Sequence, residues 1–443
     1  MKSPEEIIKI KTQIQFEARI AIHKNFGSGL VTMATGVGKS KVPIDYAKEV
    51  VIEDDGIALL VPTEKLRDEI WKLEFEKWEA SDLWDKTTSL CYASASKIKG
   101  KKYSLAIVDE CHNITELSLQ FFIDNDIRDV ICLTATEPED ESKRLMIQQI
   151  SKGHVYDLPL DKAVELGIVA PYNINVVFCK LNDVDKTIKL STKNNHTYYR
   201  TEKAHYEYLT SVINNIGGPG VTMTMSMHNT KKFRIMERMR FIYDLKSKTD
   251  CSKYILDNLI PEDDRTLIFC GSIDQTIALC NRRYFSRPSY SKKDAKPDRI
   301  AKVESQLPFY EASKGYNDFK KGKINRLSVI KAVNEGDNIE GLDSALVAQL
   351  TSKELDLIQR LGRIIRYRDG HSATMWIVCA LGTQDFEWLQ SAISSFDKER
   401  INYFFFDGKK VDSFSLKDYI YEQLQNIFFE EKTGIQTNKL LVK

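Results

Sequence analysis

The feature that most constrains this chain is a loop near its start. The apolar run GLVTMAT, residues 29–35, feeds directly into Gly36-Val37-Gly38-Lys39-Ser40, and an amphipathic stretch follows. Glycines let the backbone curl until successive N–H groups point at phosphate oxygens, and the N-terminus of a following helix adds its positive dipole end. In such a loop Lys39 suits the β and γ phosphates of a nucleotide, and the Ser40 hydroxyl suits Mg2+. The general consensus has a glycine five residues before Gly38, where this chain has Met33.

A strand–loop–helix opening of this kind belongs to parallel α/β folds, and the rest of the chain keeps that rhythm. Apolar runs GIALLVP, YSLAIVD and DVICLTAT alternate with amphipathic stretches up to about residue 170. The alternation returns after residue 265 with RTLIFCG, INRLSVIKA, ALVAQL and MWIVCAL. Such alternation reads as βαβ units, and 443 residues exceed one ordinary core, so two lobes are expected. The boundaries read as lobe 1 at 1–170 and lobe 2 at 171–384, with a mostly helical insertion at about 182–262. A small aromatic-rich appendage is expected at 385–443. Pro171 marks the junction. Residues 182–205 read as polar loop, GGPG at 217–220 as a break, and 228–260 as helix.

Composition excludes several classes. Hydrophobic residues make up 42% and charged residues 29%, as in globular proteins rather than disordered ones. No apolar run approaches the roughly 20 residues that span a bilayer, and MKSPEEIIKIK does not read as a signal peptide, so a cytoplasmic protein without membrane contact is expected. The eight cysteines are scattered, with no CxxC pair, which points to reduced buried thiols rather than zinc. Net charge is +1, so any polynucleotide surface must come from local patches.

About 70 residues after the glycine loop, Leu105-Ala106-Ile107-Val108 ends in Asp109-Glu110-Cys111-His112. Carboxylates at the carboxyl end of a parallel strand stand where α/β sheets bind ligands. Asp109 would hold Mg2+ through water, and Glu110 would orient and deprotonate an attacking water, since phosphoryl transfer needs positioning and charge neutralisation. In the second half, Gln359, Arg363 and Arg366 fall at i, i+4 and i+7, on one face of a helix. A guanidinium stays charged and donates to several phosphate oxygens at once.

Together these motifs resemble helicase superfamily 2, whose acidic box has the forms DEAD, DEAH and, as here, Asp-Glu-Cys-His; Ala34-Thr35-Gly36-Val37-Gly38-Lys39-Ser40 is similar to that family's phosphate loop. The resemblance runs over roughly residues 12–382. It implies two RecA-like parallel-sheet lobes in tandem sharing ATP and Mg2+. Gln15 resembles the adenine-reading glutamine. Pro62-Thr63 resembles a nucleic-acid backbone contact, joined by Ser94, Gly271, Ser272 and Asn334. His112, Thr134 and Thr136 resemble residues linking the ATP site to the strand-binding surface. Gly336 and Asn338 resemble a ribose-contacting motif, with Asn338 where the family often has Asp. Gln359-Arg360-Leu361-Gly362-Arg363-Ile364-Ile365-Arg366 resembles QRxGRxxR, which makes Arg363 and Arg366 candidate arginine fingers. The family's mechanism would have ATP close a cleft between lobes and hydrolysis open it.

The resemblance therefore implies a DNA-dependent ATPase, a monomer that unwinds or remodels forked or branched DNA. It is close to phage and bacterial enzymes of repair, recombination or replication (in the host cytoplasm if phage-encoded) and to the motor portion of type III restriction systems. DNA is preferred over RNA on that resemblance alone. An RNA helicase, or a nucleic-acid-binding scaffold with a vestigial ATP site, stands as the alternative. Basic stretches at 231–248 and 282–302 can track phosphates or simply be solvated, and the aromatic tail reads as a packed appendage.

Overall fold

The computed structural model describes residues 2–51, 55–138, 140–191, 196–217, 222–280, 288–289, 312–330, 339, 341–350, 357, 360–362, 364–365 and 371–419. Two compact units emerge. The first comprises 1–171 with 333–339 and 355–372, and the second comprises 172–332 with 340–354 and 373–443.

The first unit is built on six parallel strands: β1 (Gly29–Met33), β2 (Gly56–Val61), β3 (Thr87–Cys91), β4 (Lys102–Val108), β5 (Asp126–Thr134) and β6 (His154–Leu158). Their order in the sheet is β3-β2-β4-β5-β1-β6. The central strands are apolar on both faces because both faces are covered. Ile57, Leu59, Val61, Leu105 and Ile107 join one core with Ile7, Ile14, Ala18 and Ile22 of helix α1 (Pro4–Lys24). Ala58, Leu60, Ala106 and Val108 point to the opposite core, with Phe121 and Ile147. Helix α1 starts where the sequence dictates. Ser3 caps the N–H of Glu6, the Glu6 carboxylate returns to the Ser3 N–H, and Pro4 occupies the first turn.

The second unit carries a sheet ordered β11-β12-β10-β13-β14-β7-β15-β16. Its strands are β7 (Tyr172–Cys179), β10 (Thr266–Phe269), β11 (Pro288–Ser289), β12 (Arg326–Val329), β13 (Ser344–Val347), β14 (Ala373–Ala380), β15 (Ile401–Phe406) and β16 (Val411–Ser413). All neighbours pair in parallel except β15 with β16. The expected pair of parallel α/β sheets is thus present.

Three stretches read differently from their sequence. Residues 182–205 were expected as loop, yet β8 (Ile188–Ser191) and β9 (Thr197–Arg200) form an antiparallel hairpin. The helical segment holds Glu202–Asn215, Met225–Tyr243 and Lys246–Asn258. The last of these buries Cys251, Ile255 and Leu256 and packs on β14 and β7, so it belongs to the sheet's helical layer. The tail begins as helix Gln384–Ala392 and then supplies β15, which pairs with β7 along Ile401–Phe406; those aromatics are sheet residues rather than a separate packed appendage. The second basic stretch falls largely outside the described residues. No helix among the described residues is long and apolar enough to cross a membrane.

Candidate nucleotide-phosphate site

Because β1 to β6 run parallel, the loops that follow them emerge at one rim of the sheet. The glycine loop leaves β1, Pro62 and Thr63 leave β2, Ser94 follows β3, Asp109 follows β4, and Thr134 ends β5. Gly36 and Gly38 take φ of +86° and +91°, a left-handed region that side chains rarely adopt, which explains why both positions are glycine. Behind the loop, the buried Gln15 amide donates to the carbonyls of Val37 (3.0 Å) and Gly38 (3.4 Å), and Lys11 Nζ donates to the Gly36 carbonyl at 2.8 Å. In this structure, then, the Gln15 amide faces the loop backbone. Thr35 packs so closely on Gly362, within the same unit, that a Cβ there would overlap it.

Helix α2 (Lys41–Val50) begins directly after Ser40, whose hydroxyl makes no capping bond. It donates instead to Glu74 Oε2, which also accepts from Trp78 Nε1 at 3.1 Å. Lys39 Nζ stands 3.3 Å from Glu110 Oε1. Asp109 is buried; its Oδ2 accepts from Trp71 Nε1 at 2.8 Å and its Oδ1 from the Glu110 N–H at 3.0 Å. Its carbonyl accepts from Tyr92 OH at 2.7 Å. Burial, then the neighbouring Glu110 charge, push the Asp109 carboxyl up to about 6, against the opposing pull of Lys39 and the two hydrogen bonds. Glu110 itself sits at φ +47°, ψ +54°, a left-handed conformation that costs a non-glycine residue about 1 to 3 kcal/mol and concentrates at functional sites. From there its carboxylate reaches Lys39 on one side and approaches His112 Nδ1 at 3.5 Å on the other. His112 Nδ1 lies 3.3 Å from Thr134 Oγ1, and that hydroxyl donates to the Thr136 carbonyl at 2.9 Å.

The structure thus brings together Gln15, the 35–40 loop, Asp109, Glu110, His112, Thr134 and Thr136 in one unit. Trp71, Glu74 and Tyr92 join them without having been singled out from sequence. WKLEFEKW reads only as an amphipathic helix, and nothing local in it says which polar atoms meet a loop 34 residues away. The surrounding candidates hold their own local structure. Thr63 accepts from the Leu66 N–H at 3.4 Å and Ser94 donates to the Cys91 carbonyl at 3.0 Å. In the second unit the Gly271 N–H donates to Gln275 Oε1, and Ser272 Oγ accepts from the Gln275 N–H. Asn334, Gly336, Asn338, Gln359, Arg363 and Arg366 lie outside the described residues.

A nucleotide with Mg2+ fits these residues. The loop offers a cradle of glycines, one ammonium and one hydroxyl, and the end of β4 adds two carboxylates, whereas the described residues hold no group of three or more His, Cys, Asp or Glu that would bind a metal by themselves. Mg2+ is typically held by one or two carboxylates together with substrate phosphates, which is the donor set present.

Comparison with known proteins bears on the fold. Residues 247–368 match the helicase conserved C-terminal domain. No curated protein sequence matches the chain. Among solved structures, the chain is similar to a fragment of a putative HsdR subunit of a type I restriction enzyme from Vibrio vulnificus YJ016, at 16% identity over 90% of this chain and 68% of that one (TM-score 0.54). It is similar to S. cerevisiae Dbp5 bound to RNA and ADP BeF3, at 12% identity over 96% of this chain and 97% of that one (TM-score 0.51). It also resembles the ATP-dependent type ISP restriction-modification enzyme LlaBIII bound to DNA, at 12% identity over 99% of this chain and 33% of that one (TM-score 0.51). This chain spans only a third of that enzyme. The protein therefore has the two-sheet, RecA-like α/β fold of helicase-type nucleic-acid motors, with a helicase conserved C-terminal domain matched over residues 247–368.

Proposed function

We propose that this protein is a polynucleotide-stimulated ATPase that translocates on DNA and unwinds or remodels forked or branched substrates. The observation that carries the reading is the rim of the first sheet, where Lys39 meets Glu110 at 3.3 Å, Asp109 is adjacent, and Ser40 closes the glycine loop. Lys39 neutralises β/γ-phosphate charge while the loop amides hold the phosphate oxygens. Ser40 and, through water, Asp109 would hold Mg2+, which when bound would supply further charge neutralisation. Glu110 orients the attacking water and takes its proton. His112, Thr134 and Thr136 carry the state of this site toward a strand contact that includes Pro62, Thr63 and Ser94, and the sequence resemblance separately makes Gly271, Ser272 and Asn334 nucleic-acid contacts. By the sequence resemblance, Gln359, Arg363 and Arg366 would serve the phosphates, and Gly336 and Asn338 the ribose. The likeness to structures holding DNA and holding RNA supports a nucleic-acid partner, and the sequence resemblance favours DNA. The protein acts as a monomer.

ATP hydrolysis measured with no polynucleotide, single-stranded DNA, forked DNA and RNA tests this. We expect the fork to stimulate most and Lys39→Ala to lower the stimulated rate on the order of 10²- to 10³-fold, as for loss of one preorganised charge-stabilising donor. Hydrolysis indifferent to every polynucleotide would sink the reading, and equal or greater stimulation by RNA would move it to RNA.

A further inference from the structure

Both groups assigned to Mg2+ are gripped from one short helix. Trp71 and Glu74 lie at i and i+3 of α3 (Trp71–Lys77), so they share a face. From that face the Trp71 indole N–H reaches Asp109 Oδ2 at 2.8 Å, and Glu74 Oε2 accepts the Ser40 hydroxyl proton. The helix is itself anchored, with Trp71 and Phe75 buried in the core of the first unit and the rings of Phe75 and Trp84 in tilted contact at 5.6 Å. Glu74 is held in turn by Trp78 Nε1 at 3.1 Å and Lys77 Nζ at 3.3 Å.

The direction of each hydrogen bond matters. A serine hydroxyl has one proton and two lone pairs. When the proton is committed to Glu74, the lone pairs are left for a cation, and the Glu74 charge favours a cation nearby. Asp109 Oδ2 takes the indole proton and Oδ1 the Glu110 N–H, which fixes the plane of the carboxylate. Groups that orient metal ligands in this way are worth about 10- to 100-fold in metal affinity.

We infer that α3 is a positioning platform for the metal half of the phosphate site, with Glu74 aligning Ser40 and Trp71 aligning Asp109 toward Mg2+. The inference rests on the proposed nucleotide site and adds to it two residues that touch neither nucleotide nor metal.

The test is equilibrium binding of a fluorescent ATP analogue to the full chain, titrated with Mg2+ and repeated with EDTA, without polynucleotide. Glu74→Ala is expected to raise the half-saturating Mg2+ concentration about tenfold, with metal-free nucleotide binding unchanged. Glu74→Gln, whose amide oxygen can still accept the Ser40 proton, is expected to recover most of that loss. Trp71→Phe, which keeps the ring and removes the indole N–H, is expected to shift the Mg2+ requirement in the same direction as Glu74→Ala. An unaltered Mg2+ requirement in Glu74→Ala overturns the inference, and so does a lowered one, which would make Glu74 a competitor for Ser40. Equal loss with and without Mg2+ overturns it too, because that is damage to the loop rather than to metal alignment. Failure of the wild-type chain to bind nucleotide at all would be a failure of the proposed function instead.

Discussion

In the first unit one cluster of charge sits at the exposed rim of the sheet, where buried Asp109 and half-buried Glu110 stand side by side with the Lys39 ammonium 3.3 Å from Glu110. In the second unit buried charge lies inside, between elements. Lys248 Nζ, fully buried, meets Asp385 Oδ2 at 2.7 Å and Gln349 Oε1 at 3.1 Å, and the same Asp385 oxygen accepts the Ala380 N–H. Arg326 donates to the carbonyls of Leu256, Ile260 and Pro261 at and just beyond the end of helix Lys246–Asn258, and Glu202 accepts the Ser247 N–H at that helix's start. In the second unit opposite charges and carbonyls answer one another and fasten helices. At the first unit's rim two like charges are adjacent, one of them on strained backbone. The contrast teaches that buried charge signals chemistry where it is left in conflict and architecture where it is resolved.

The sharpest way to break that contrast is to remove one half of the internal pair. Lys248→Met leaves Asp385 buried with its main counter-charge gone, and we expect it to lower stability by about 3 to 5 kcal/mol in urea denaturation. The double replacement Lys248→Met with Asp385→Leu should recover most of the loss, since a buried pair exchanged for packed apolar residues is often nearly neutral. A single-variant loss below about 1 kcal/mol, the scale of an exposed pair, would mean that the pair fastens nothing.

How much of this was legible in the sequence depended on how local the cause is. The glycine loop was legible because Gly36, Gly38, Lys39 and Ser40 act through neighbouring backbone, and the strands around it because burial on both faces leaves unbroken apolar runs. The platform at Trp71 and Glu74 was not, because its contacts close over 38 and 34 residues and its letters are those of any amphipathic helix. The tail failed for a related reason. Residues 401–406 read as part of a packed appendage until β7 is seen beside them, with Asn402 donating to Asn175 across 227 positions. The hairpin at 188–200 gave a weak signal, since Ile188–Ser191 alternates over only four residues and Thr197, Tyr198 and Tyr199 of the second strand are all exposed.

A second replacement sharpens the contrast by reversing its sign. The Asp109 carboxyl titrates near 6 in the folded protein and at its ordinary 3.8 when unfolded. Above about pH 6 it is ionised in both states, and folding bears the cost of its buried charge. Below pH 6 the folded protein takes up the proton and that cost fades. Asp109→Asn is therefore expected to stabilise the first unit at pH 7.5 by on the order of 1 to 2 kcal/mol. The gain should shrink as the pH is lowered from 7 to 5, while Mg2+-dependent ATP hydrolysis is lost at every pH. Thermal melts of both proteins across that range check it. Stabilisation that does not vary with pH would show that charge burial is not its source.

The smallest expected effect concerns Gln15, which binds the loop from behind rather than standing in the rim's conflict of charges. Its amide donates to Val37 and Gly38 carbonyls, and a Cβ added at Gly38 would come within 2.7 Å of its Nε2. A neutral hydrogen bond of this kind contributes about 0.5 to 1.5 kcal/mol. Gln15→Ala should thus weaken nucleotide binding roughly three- to tenfold by loosening the loop. Because Val37 and Gly38 belong to the loop proposed to hold the phosphates, the loss should be the same for ATP and GTP. Competition binding with the two nucleotides decides between a residue that shapes the loop and one that reads the base. If the Ala variant loses ATP selectively, Gln15 reaches the adenine when nucleotide is bound, and its contacts with the loop belong to the nucleotide-free state alone.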